Sequence, residues 1–236
     1  MSEEKSIKSE AGFIEVSDDA KAHEFLQQQL VEAEQHLAAL PANASPLDRA
    51  NILLEQSNAL LGLNRNEEAW NAGKQAFEIF VENESWPEAV EACDILYQTD
   101  QPASIVAMAH GIWLSVTYPI DPEQTIVMIN YIVDETPDSS DGAAVAAATA
   151  HYIVGLRCDD EKYKSLGFLT TNLIAKVAQR HGDVKSQEAL DFWMEKLELK
   201  DPAVFLPRMG MVLNAIVEEG QWWFDRDKLR EKLPVN

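Results

Sequence analysis

Residues that carry chemistry are sparse in this chain. It has two cysteines in 236 residues, Cys93 and Cys158, and each sits in an apolar stripe at helical spacing. A free thiol there behaves as a small hydrophobe, so neither a disulfide nor a nucleophilic thiolate is expected. The ten glycines are scattered, with no Gly-x-Gly-x-x-Gly and no phosphate-loop Gly-Lys-Ser/Thr; the common nucleotide-binding signatures are missing. The five histidines, His23, His36, His110, His151 and His181, form no His-Glu-x-x-His and no Glu-x-x-His pair. The expectation is therefore no metal, no cofactor and no catalytic constellation.

Positive charge is also scarce. There are 19 Lys and Arg against 40 Asp and Glu, a formal net charge of −21. Such a field repels phosphate backbones and anionic lipid surfaces, which speaks against nucleic acid and membrane as partners. Residues 1–158 hold 26 acids and 7 bases, whereas residues 159–236 hold 14 and 12, so the acidity belongs to the first two-thirds. No apolar run reaches the ~20 residues of a membrane-spanning helix. The longest near-apolar stretch, Ala143 to Leu156, is interrupted by Thr149 and His151. Met1 is followed by Ser-Glu-Glu-Lys rather than a basic stretch and an apolar core, so a cytoplasmic protein without a secretory leader is expected.

What the sequence does contain is helix-start punctuation. Small polar residues followed by Pro or an acid recur at Ser45-Pro46, Asn66-Glu67, Ser85-Trp86-Pro87-Glu88, Asp100-Gln101-Pro102, Asp121-Pro122, Ser140-Asp141, Asp159-Asp160 and Asp201-Pro202. Such residues accept hydrogen bonds from the free N–H groups of a first helical turn. Between the signals, apolar residues fall three and four apart: Leu26, Leu30, Ala33 and Leu37 in one stripe, and Ile105, Ala109, Ile112 and Val116 in another. That period is helical, and nothing comparable announces strands. The pattern predicts an all-α protein, an irregular stack of antiparallel helical hairpins with about nine or ten helices. Residues 1–16 read as a flexible tail and 17–236 as one helical-repeat-like domain, with a sub-boundary at the loop 136–142.

The segment Ser57-Asn58-Ala59-Leu60-Leu61-Gly62-Leu63-Asn64-Arg65-Asn66-Glu67-Glu68-Ala69, continuing to Ala76, resembles the core of a tetratricopeptide repeat. Ser57, Ala69 and Ala76 match three small-residue positions of that pattern; Gln56, Gly73 and Val81 depart from it. The resemblance spans about thirty residues, and no strict 34-residue period follows it. It implies paired helices that cross closely and arrays that line a groove for a peptide or a partner helix. The family's carboxylate-clamp positions need Lys and Arg that this acidic region lacks, so its peptide-binding residues do not carry over.

These observations predict a non-catalytic adaptor or assembly factor that binds another protein through a basic or helical segment of that partner. The candidate partner-binding residues are Glu67, Glu68, Glu84, Glu88 and Glu91, which would steer basic segments, and Trp222, Trp223 and Phe224. Adjacent tryptophans are either a cap on the open end of the stack or an exposed anchor. Two alternatives stay open at this stage: an enzyme assembled in space from His110, His151 and nearby carboxylates, and an acidic mimic that occupies a nucleic-acid-binding protein.

Overall fold

Five of the expected caps form. In the computed structural model the side chains of Ser45, Asp121, Ser140, Asp159 and Asp201 accept from backbone N–H groups two or three residues ahead. They open α2 (Pro46–Gly62), α6 (Pro122–Glu135), α7 (Asp141–Arg157), α8 (Asp160–Gly182) and α10 (Pro202–Ile216). The other helices are α1 (Glu3–Ala39), α3 (Asn66–Glu82), α4 (Trp86–Gln98), α5 (Ser104–Thr117), α9 (Gln187–Lys196) and α11 (Arg226–Arg230). Backbone is described for residues 3–218 and 220–233, and side chains from residue 19 onward. The tail expected over residues 1–16 thus falls where no side chain is described. Among the described residues there are eleven helices and no strand.

Three caps work differently from expectation. Asn66 is the first residue of α3, whose N-cap position falls on Arg65 with no side-chain bond to the backbone. Ser85 and Glu88 have capping-box spacing, but the Ser85 hydroxyl donates to the Glu88 carboxylate at 2.8 Å and leaves the backbone alone. Asp100 lies a turn early: α5 begins at Ser104, whose hydroxyl accepts from the Gln101 N–H at 2.8 Å. Asp100 is instead one of five non-glycine residues at positive φ, with Asn64, Glu84, Asp183 and Glu198, each in a turn between consecutive helices. The left-handed backbone reverses the chain tightly there. Pro207 lies inside α10 without ending it.

Helices stack mainly on their sequence neighbours. Within the stack, α2 also meets α4, α4 meets α6, and α6 meets α8, so alternate helices form one closely knit layer. The opposite layer, α3, α5 and α7, is more open; α10 turns back and packs on α5 and α7. One apolar cluster runs through all of this, from Leu53 of α2 to Leu229 of α11, and continues across the loop at 136–142. Phe77, Phe80, Leu96 and Met108 are fully buried in it, each stabilising the fold by roughly 1.5–3 kcal/mol through transfer from water. Where α2 crosses α3, Ser57, Ala69 and Ala76 are all buried, and the Ser57 hydroxyl donates to the Ala69 carbonyl at 2.7 Å.

Arginines join helices across this stack in a repeated way. Arg157, at the end of α7, donates to the carbonyls of Ser115 and Val116 in the last turn of α5 and of Ile120 beyond it. Arg180 of α8 donates to the Val133 carbonyl near the end of α6. Arg208 of α10 donates to the Leu197 carbonyl that closes α9. Each satisfies carbonyls that a helix end leaves without an internal partner, with a charge of the sign the helix dipole favours there.

Candidate functional site

The structure does not bring the five candidate glutamates together. Glu67 and Glu68 open α3, whereas Glu84 lies in the turn after its far end, about 24 Å away along the helix. Glu68 is held by Arg65 and Glu84 by Lys232. Glu88 and Glu91 remain, and a residue missed by sequence reasoning extends them: Asp94, one turn further along the same face of α4. Among the described residues, none of these three carboxylates is in an ion pair. Burial, followed by the charges of Glu88 and Asp94, raises the Glu91 carboxyl above its ordinary value. The face is therefore short of positive charge.

Two tyrosines bind this face to α6. The Tyr131 hydroxyl donates to Asp94 and the Tyr97 hydroxyl to Glu135, each at 2.6 Å, while the two rings lie 4.2 Å apart. Burial comes first in raising both phenols, with the carboxylate each one bonds second. Asp134, beside Glu135, pairs at 3.4 Å with Lys176 of α8. Lys176 in turn lines an open groove of about 620 Å³ between α8 and α9, together with Asn172, Gln179, Lys185 and Leu190. The spacing of Glu88, Glu91 and Asp94 was visible in the sequence; the tyrosine bridges needed the packing of α4 on α6.

Trp222, Trp223 and Phe224 do not cap an open end of the stack. They lie across its flank, on α3 and α5, and all three are half-buried. Trp223 sits between the Lys74 ammonium, 4.2 Å from its ring centre, and the His110 ring, 4.4 Å away and tilted by 27°. The edges of Phe77 and Trp70 enclose it at 5.3 and 6.0 Å. Trp222 is sandwiched between His110 and the Arg226 guanidinium, the latter 3.8 Å from its ring. Phe224 rests on Trp113 at 5.3 Å.

His110 is fully buried and uses both ring nitrogens. The Val106 carbonyl can only accept, so Nδ1 carries the proton; Nε2 then accepts from the Trp223 N–H at 2.9 Å. Burial above all, with Lys74 and Arg226 adding repulsion, lowers its pKa to about 4. His151 is half-buried, and its Nδ1 lies 2.9 Å from the Thr170 hydroxyl. Burial lowers its pKa as well. His181 accepts from the Trp193 indole N–H on Nδ1 and meets Asp141 on Nε2, each at 3.0 Å. No carboxylate hydrogen-bonds His110 or His151 among the described residues, and no cluster of His, Cys, Asp and Glu fit for a metal occurs among them. No helix among the described residues is long and apolar enough to cross a membrane.

Neither a family model, nor a curated protein, nor a solved structure matches this chain.

Proposed function

We propose that the protein is a non-catalytic protein-binding module, an adaptor or assembly factor, whose α4/α6 face receives a basic segment of its partner. The observation that carries this reading is the row Glu88, Glu91 and Asp94: three carboxylates in no ion pair among the described residues, one of them with its pKa raised by burial and by its neighbours. A lysine or arginine placed there would relieve the mutual repulsion on binding, and exposed charges of one sign speed the approach of the opposite sign. Tyr97 and Tyr131 supply flat, rigid contact area beside the charges.

The test compares the full chain with a Glu88→Gln, Glu91→Gln, Asp94→Asn variant, both immobilised and exposed to a cell lysate. Proteins retained by the first and lost from the second are then measured for association rate against salt. The expected outcome is a slower association with a flatter salt dependence and an unchanged melting temperature. Equal retention and equal rates on both surfaces would return these residues to a merely solvated face.

A further inference from the structure

The chain's last stretch has the form of a bound ligand. Beyond α10, residues 220–225 run without helix across α3 and α5 before α11 begins. Residues 222–224 make one hydrogen bond through their own backbone to that surface, from the Trp223 N–H to His110. Everything else is side-chain recognition: an aromatic box of Trp70, Phe77 and His110 closed by the Lys74 ammonium around one indole, with Trp113 under the phenyl ring of Phe224.

Most of this occupant lies open to water. Its three aromatic residues stay partly exposed, unlike the fully buried His110 and Phe77 beneath them. Gly220 has φ +85°, and a Cβ there would meet nothing within 4 Å, so the approach to the cleft is an unpacked turn. The far end is fastened by the ion pair of Lys232 with Glu84, whose side chains are 55% and 51% exposed; pairs that open to water hold weakly. The cleft's walls belong to α3 and α5, which are fixed by α2, α4, α6 and α10 rather than by the strap. Leu229 of α11 is the one residue of 220–233 buried in the core, at 8% exposure; the others are half-buried or exposed, and a segment with so few buried contacts opens at lower cost than the helices beneath it.

We propose that the cleft between α3 and α5 is a recognition site for an extended segment of a partner protein carrying consecutive aromatic residues followed by basic ones, and that residues 222–232 hold it closed in cis. The chemistry of the occupant is set by what is seen bound: an aromatic side chain between an ammonium and an imidazole, a second over Trp113, and a cation reaching Glu84. A basic partner is favoured further by the acidity of residues 1–158. This site is separate in place and chemistry from the α4/α6 face, so either can fail without the other.

The experiment uses the full chain and a labelled peptide with the sequence of residues 220–233, followed by fluorescence anisotropy. In the wild type, the tethered strap competes at an effective concentration on the order of millimolar, so the peptide binds poorly. Full-length Trp223→Ala weakens the strap and leaves the box intact; it is expected to bind the peptide at least about tenfold more tightly than the wild type. A peptide with both tryptophans replaced by alanine is expected not to bind. Should Trp223→Ala fail to fold, Lys232→Glu, confined to the exposed ion pair, takes its place with the same expected direction. Equal peptide binding by wild type and folded variant, or binding by the alanine peptide, overturns the proposal. So does a concentration-dependent wild-type dimer that disappears in the variant, because the strap would then serve exchange between two copies of the chain.

Discussion

Acid should loosen this protein at one identifiable place. His110 is neutral and fully buried, and its Nε2 accepts from Trp223. Protonation would place two N–H donors face to face and set a cation beside Lys74 and Arg226. The folded pKa is about 4, against about 6.5 for an unfolded histidine. Because the folded value is the lower one, the unfolded chain takes up the proton first as pH falls. Stability is therefore undiminished above neutrality and is lost between about pH 6.5 and pH 4. The loss amounts to about 3 kcal/mol, from a shift of roughly 2.5 units at 1.36 kcal/mol each, a large part of a stability of ~5–15 kcal/mol. Other groups titrate over the same range, and Glu91, whose pKa is raised, acts with the opposite sign. The measurement is accordingly a difference: urea unfolding of wild type and His110→Gln at several pH values, followed by circular dichroism and tryptophan fluorescence. Glutamine cannot titrate, so the wild type is expected to lose about 3 kcal/mol more than the variant between pH 7.5 and 4. The fluorescence of Trp222 and Trp223 should change before the helical signal does. Parallel pH dependences in the two proteins would refute the reasoning.

Gly111→Ala would put a Cβ 2.5 Å from the Met128 Cε and 2.7 Å from the Cys93 Cβ; the methionine tip can swing aside and the cysteine Cβ cannot. A net destabilisation of about 1–2 kcal/mol is expected in thermal melts, after allowing for alanine's better helix propensity. Arg157→Met removes the donor shared by the Ser115, Val116 and Ile120 carbonyls, and should cost about 3 kcal/mol in urea unfolding; a loss below 1 kcal/mol would show that water replaces it freely. Ser57→Ala deletes the buried bond to the Ala69 carbonyl, with an expected cost of about 1 kcal/mol, because that carbonyl keeps its place in the helix.

The caps were legible because their cause is local: Ser45, Asp121, Ser140, Asp159 and Asp201 each bond within three residues. Ser85 shows the limit, since the same spacing allows its hydroxyl to prefer the Glu88 carboxylate over the backbone. The small residues Ser57, Ala69 and Ala76 were readable as a close helix crossing, and they are buried where α2 meets α3. The candidate glutamates were grouped by nearness in sequence, and a straight α3 carries Glu67 and Glu84 to opposite ends. Trp223 was noticed for its composition, but its partner His110 lies 113 residues away, and no periodicity encodes such a pairing. The roles of Tyr97 and Tyr131 are hidden for the same reason: only the contact of α4 with α6 turns their hydroxyls toward carboxylates.

The arginine links also impose an order on biogenesis. The last carbonyls of α5 wait for Arg157, 42 residues downstream, a delay of about 2–8 seconds at the usual pace of synthesis. Those of α6 wait in the same way for Arg180, 47 residues on. Until those links form, the growing chain carries two frayed helix ends, and α7 and α8 each seal a helix made two helices earlier. A ribosome that stalls after α6 would leave α5 unsealed, presenting open carbonyls and apolar surface to chaperones and proteases.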